Sequence, residues 1–211
     1  MFVRAPLLLK LLSLYVGLPV IYVVTGWLGL IFFAHPPGYA TPIFLPAGVA
    51  ICAVCLYRQH SLPGVLLGSF LLNVLIGYYY IQHQFNHAVV GALVIAAAST
   101  VQAGVGGYWF RRAIVFQGMT LTNVNNLLHL TVLTPVVCLI SASLSLSGLW
   151  ALGLVATYHL LGSWWYWWVG DVIGVLIVMP WMLFFTHPIA DDLRRAQIER
   201  WTRDILDGKL K

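Results

Sequence analysis

Charge is what this chain has least of. Only 8% of its 211 residues are Asp, Glu, Lys or Arg, against roughly 25% in an ordinary soluble domain. With 61% of the residues hydrophobic, no water-facing surface can be assembled from so few ionic groups, and almost no polar sequence is left between apolar runs for a separate catalytic domain. A phosphate-binding loop, a nucleophile beside a base and a pair of acid/base carboxylates are all missing, so the chain does not read as an enzyme. Cysteine is sparse as well. Cys52, Cys55 and Cys138 fall inside apolar segments, and an odd, scattered set is not a disulfide framework. Cys52 and Cys55 have the C-x-x-C spacing of a redox or metal pair, but between apolar neighbours they read as small helix residues. No cofactor is implied. The formal net charge of +5 rests on a few basic residues near helix ends, which serve membrane orientation rather than nucleic-acid binding.

What is present is a succession of apolar runs, several of them near the 20 residues that cross a hydrocarbon core of about 30 Å. They occupy residues 11–33, 43–57, 62–80, 88–110, 127–146 and 161–185. Arg4 and Lys10 ahead of the first run resemble a signal peptide, but the run continues to Phe33 without a small-residue cleavage pattern, so it is a retained helix. The predicted fold is all-α: a polytopic membrane bundle of about six transmembrane helices plus short interfacial helices, with an interfacial connection at 113–126 and a short interfacial or tilted helix at 149–160. Arg4, Lys10, Arg58, Arg111, Arg112, Arg194 and Arg195 belong on the cytoplasmic side, and the loops at 34–42 and 82–87 contain no Lys or Arg. An even number of crossings must therefore separate Arg112 from Arg194. The expectation is a multi-pass protein of the bacterial inner membrane with both termini cytoplasmic, a membrane domain at 1–187 and a cytoplasmic polar helix or connector at 188–211.

Asp171 stands out, because an ionisable side chain in an apolar span costs several kcal/mol unless it meets a partner or a polar cavity. At 3.6 residues per turn Trp164, Trp167, Trp168, Asp171, Gly174 and Val178 share one helix face, which reads as a pocket wall or as an interfacial tryptophan belt. Asn73 falls at a similar depth by residue count and is the expected hydrogen-bond partner of Asp171. Gln102 lies beside the row Ser99, Ala103, Gly107, whose small residues read as helix packing. His83 and His87 at i, i+4, with His35 on the same side, have the spacing of a metal pair, yet no Cys or carboxylate completes a shell and they read as polar loop residues. His159 is a candidate for pH sensing or ligand contact. Asp171, Asn73, Trp164, Trp167, Trp168, Gln102, His159 and Pro46 make up the candidate ligand-binding set. The pocket they define is expected to open toward the outer half of the membrane between the third and sixth spans.

Two stretches, PIFLPAGVAICAVCLYRQHSLPGVLLGSFLLNVL at 42–75 and WWYWWVGDVIGVLIVMP at 164–180, resemble the bacterial membrane-associated sensor domain family, type one. The first carries the Pro-x-Gly helix opening at Pro46 and Gly48, the Pro63-Gly64 pair and Asn73; the second carries the tryptophan-rich approach, Gly170-Asp171, Gly174 and a terminating Pro180. The resemblance implies a sensory input domain at 1–187. It would bind a small, amphiphilic signal next to membrane lipid and regulate a cytoplasmic diguanylate cyclase, phosphodiesterase or histidine kinase output in cis, as a homodimer. Family members commonly continue with further helices and an output domain, so the chain is expected to be part of a longer receptor or a stand-alone module. A six-helix substrate-binding subunit of a transporter would have similar composition and is the competing reading; a lipid-modifying enzyme is the third.

Overall fold

The computed structural model describes residues 7–33, 41–80, 85–115 and 124–207, and no strand occurs among the described residues. Helix α1 (Leu7–Leu12) passes through a π-helical turn at Ser13–Gly17 into α2 (Leu18–Phe33), followed by α3 (Leu45–Tyr57), α4 (Leu62–Tyr80), α5 (Phe85–Phe110), α6 (Val124–Ala151) and α7 (Leu160–Leu206). Helices are what hydrocarbon demands, since each satisfies its backbone polar groups within its own segment. Five stretches are long and apolar enough to cross a membrane: Ser13–Phe33, Leu45–Tyr79, Asn86–Ala113, Leu128–Ala151 and Thr157–Met182. Apolar residues face outward as well as inward, as lipid allows: Val20, Ile21, Val24, Leu28 and Ile31 of α2 are exposed while Tyr22 and Leu30 are buried.

The stretch Leu45–Tyr79 reverses within itself. A 3-10 turn at Arg58–Ser61 separates α3 from α4, with Arg58 at φ 59°, a left-handed conformation that stops the helix. On α5, Gly106 and Gly107 abut Ile51 and Val54, whereas Gly104 abuts Leu62 and Ala88 abuts Gly77. Helix α3 therefore runs parallel to α5, and α4 antiparallel to it. By the same reasoning α2 runs with α4 (Leu14 at Gly64, Gly26 at Leu72), α6 runs against α5 (Gly148 at Val94, Val137 at Gly106), and α7 runs with α3 (Gly174 at Phe44, Val178 at Gly48, Met179 at Cys52). Among the described residues six helical elements alternate in direction, and the Arg58 turn and Arg111 lie at one end.

Helix α3 departs from the expected span. Its 13 residues rise only about 20 Å, so the element begins inside the bundle. Residues 41–44 precede it in non-helical conformation. Phe44 N–H donates to the Gly170 carbonyl at 3.0 Å, and Thr41 Oγ1 donates to the carbonyls of Ile43 at 3.0 Å and Gly29 at 3.4 Å. Irregular backbone is tolerated at membrane depth when protein meets its polar groups in this way.

At the arginine-bearing end, Arg111 Nη1 donates to the carbonyls of Cys55 at 2.6 Å and Leu56 at 3.3 Å, which α3 leaves without helical partners. Arg111→Met keeps the apolar stem and loses this cap. It should cost about 1.5 kcal/mol, read as a lower midpoint of thermal unfolding in detergent; an unchanged midpoint would remove Arg111 from the list of stabilising residues.

Helix α7 is continuous for 47 residues, about 70 Å, so it extends well beyond a 30 Å core. Pro180 does not terminate it, contrary to the sequence reading, and neither does Pro188. A proline removes one donor from the ladder, and a packed bundle tolerates that loss. The polar stretch after residue 187 is thus the same helix as the last crossing through Leu206. The expected interfacial helix at 149–160 shrinks to a turn and the 3-10 segment Thr157–His159, because α6 continues to Ala151 and Gly153 at φ 70° reverses the chain.

Candidate functional site

Asp171 is the only carboxylate in residues 1–190, and α7 places it in the bundle interior at 1% exposure. Gln102 of α5, also buried, donates from Nε2 to Asp171 Oδ2 at 2.8 Å and accepts through Oε1 from the backbone N–H of Ser141 on α6 at 3.0 Å. An ionised carboxylate only accepts and a backbone N–H only donates, so the amide can sit one way round. One side chain thereby ties α5, α6 and α7 together. The Ser141 hydroxyl lies near the carboxylate, but Asp171 Oδ1 is buried with no hydrogen-bond partner among the described residues. Asp171 and Gln102 line a small void of about 10 Å³ together with Tyr22, Phe44, Ala47, Ala50, Ser99 and Ala103.

A larger, partly open cavity of about 80 Å³ lies toward the end opposite the arginines. Asn73, Ile76 and Gly77 of α4 form one wall, and His87, Ala88, Gly91, Ala92, Ile95 and Ser99 of α5 form the next. Leu149, Leu154, Val155, Trp167, Thr41 and Phe44 complete it. Phe44 and Ser99 line both spaces, so the larger cavity and the void beside Asp171 adjoin at these two residues. The ring of Phe44 also meets Tyr22 edge-on at 6.2 Å.

Asp171 and Gln102 come together; the expected Asp171–Asn73 pair does not form. Asn73 Nδ2 turns back to the carbonyl and hydroxyl of Ser69 at 2.8 and 3.3 Å on its own helix, although Asn73 still lines the cavity. Residue counting gave both side chains the same depth but not the same azimuth, and α4 packs on α2 and α5 rather than on α7. The tryptophan face divides too. Trp164 Nε1 donates to Ser143 Oγ at 3.1 Å and Trp168 Nε1 to the Pro135 carbonyl at 2.8 Å, both toward α6, with their rings stacked 5.9 Å apart. Of the three, only Trp167 reaches the cavity. A face this wide spans two neighbours of α7 instead of one. Pro46 is buried against Gly26 of α2 and lines neither space. His159 is exposed and rests on the Tyr158 ring at 4.1 Å, outside both spaces. His35 and His83, named for the spacing of a metal pair, lie outside the described residues.

Sequence reasoning missed Phe44, Tyr22 and the hydroxyl role of Ser99. The available signal was the pair Gly170 and Gly174, spaced i, i+4 around Asp171: a Cβ at Gly170 would land on the Thr41 carbonyl, and one at Gly174 on the Phe44 carbonyl. Those glycines let an extended backbone lie directly on α7. Cys52, Cys55 and Cys138 are free and buried, with the Cys52 thiol 3.0 Å from Met179 Sδ.

Comparison with known proteins gives one family. The chain matches MASE1 over residues 14–211, nearly its whole length, and belongs to that family of membrane-associated sensory domains. Both motif stretches, 42–75 and 164–180, fall within the matched region. Searches of curated proteins and of solved structures find no match.

Proposed function

We propose that this MASE1 domain binds a small amphiphilic molecule in the cavity between α4, α5 and α7 and passes the resulting shift along α7 to an output domain, a diguanylate cyclase, phosphodiesterase or histidine kinase, on the cytoplasmic side. The arginine-bearing end is the cytoplasmic one on charge grounds, which turns the cavity mouth outward. The observation that carries the reading is the contact between cavity and exit helix. Phe44 lines the cavity, donates its N–H to Gly170 and lays its carbonyl against Gly174 of α7. A ligand that displaces residues 41–44 therefore bears directly on α7, the longest helix among the described residues, so the affinity difference between the two positions of that segment becomes the signal.

Gly91 provides the test. A Cβ there would meet only Leu149 and Leu154 at 3.4 and 3.5 Å, so Gly91→Leu fills the cavity without disturbing the backbone. With the chain fused at its C-terminus to a diguanylate cyclase reporter, the parent's output should vary with growth medium, and Gly91→Leu should narrow that range at least fivefold. Leu93→Phe, on the lipid-exposed side of α5, should leave it intact. A parent whose output ignores the medium, or a Gly91→Leu fusion that responds like the parent, would sink the reading.

A further inference from the structure

We infer that the ligand selected by this cavity carries an ammonium group, which Asp171 receives in the small void beyond Phe44 and Ser99 while the apolar remainder occupies the larger space. The inference rests on the sensory-pocket reading above and names the chemistry that pocket prefers. Its starting point is the carboxylate that the fold leaves half satisfied: Oδ2 takes one hydrogen bond from Gln102 and Oδ1 takes none among the described residues.

The groups around the carboxylate come from several neighbouring elements, and none among the described residues is a cation. Helix α2 contributes Tyr22, α3 contributes Ala47 and Ala50, and α5 contributes Ser99 and Gln102. Helix α6 contributes Ser141, whose N–H is already given to Gln102 and whose neutral hydroxyl lies near the carboxylate. The start of α3 supplies at most a partial positive charge. A buried carboxylate without a full counter-charge is costly, so a ligand bringing that charge gains more from Asp171 than a neutral one can. An anionic head group would be repelled by the same carboxylate.

Size and shape agree with charge. A void of about 10 Å³ has room for one water-sized group, which describes an –NH3+ head and excludes a longer chain. Such a head has three N–H donors, and the void offers acceptors in Asp171 and in the hydroxyls of Ser99 and Tyr22. Beyond Phe44 the lining turns to Ile76, Ala92, Ile95 and the Trp167 indole, which suits a short alkyl or aromatic body. No covalent step is involved.

Hexylammonium, 1-hexanol and hexanoate share a body and differ in head group, so they test the inference on the unmodified full chain in nanodiscs. Ligand-dependent thermal stabilisation should half-saturate at least tenfold lower for hexylammonium than for hexanol, and hexanoate should give none. Asp171→Asn should abolish the tenfold preference while keeping the hexanol response. Should that variant not fold, Ser99→Ala serves instead, weakening hexylammonium severalfold with hexanol unchanged. Equal binding of hexanol and hexylammonium would overturn ammonium selection and leave the pocket standing. No binding of hexylammonium also overturns it, and only a parallel lack of effect of Gly91→Leu on the fusion's output would bring down the sensory pocket with it.

Discussion

Gln102→Leu should lower the unfolding free energy by about 2–3 kcal/mol, the cost of leaving a buried carboxylate and a buried backbone N–H without their hydrogen-bond partner. The wild-type amide donates to Asp171 at 2.8 Å and also holds the Ser141 N–H of α6 at 3.0 Å. Leucine fills much of the same volume, so the loss is electrostatic rather than steric. That makes the double replacement informative. Replacing both members of a buried polar pair by apolar side chains removes the desolvation cost along with the bond, so Gln102→Leu combined with Asp171→Leu should be more stable than Gln102→Leu alone. A double-mutant cycle, read by unfolding in mixed detergents, gives the coupling directly. If Gln102→Leu costs less than about 1 kcal/mol, Asp171 is not held by Gln102 and the tie between α5, α6 and α7 is lost as an explanation.

The route to that pair shows what could be read from the sequence and what could not. Hydropathy located the apolar helices but not the full extent of α7, which runs to Leu206, and the placement of Arg58, Arg111 and Arg112 implied the alternation that the glycine contacts display. Asp171 was recognisable as interior because its neighbours are all apolar. Its partner was not, since depth along a helix follows from counting while azimuth depends on which helix packs on which. Asn73 and Gln102 were both mid-span amides, and the choice between them was made by α5 inserting beside α7, which local spacing does not encode. Gln102 belongs to the candidate ligand-binding set, but the row Ser99, Ala103, Gly107 beside it reads as packing and gives no sign of the bond to Asp171. The row does pack, with Gly107 on Val54, and the close approach it permits is what brings the amide within reach of the carboxylate. The entry of residues 41–44 into the bundle was hidden for a different reason: the preceding proline-rich sequence reads as an outer loop, and only the bare surface at Gly170 and Gly174 makes room for its final residues.

That bare surface carries the last prediction. Gly174→Ala should cost about 3 kcal/mol, the upper part of the range for overpacking an interior, although alanine is otherwise the better helix former. The added methyl would coincide with the Phe44 carbonyl, and the Leu45 amide lies just behind it at 3.1 Å. Both are backbone atoms, so no rotamer change can relieve the clash; α3 and α7 must separate, or residues 41–44 must move. Either response disturbs the Phe44–Gly170 hydrogen bond at 3.0 Å and the wall of the cavity, so the reporter fusion should lose its response together with stability. Gly162 on the same helix is the control, because a Cβ there meets nothing within 4 Å. Gly162→Ala should leave the thermal midpoint unchanged or slightly higher. If alanine is tolerated at 174 as well as at 162, the extended segment does not rest on α7, and the mechanical link from cavity to exit helix fails with it.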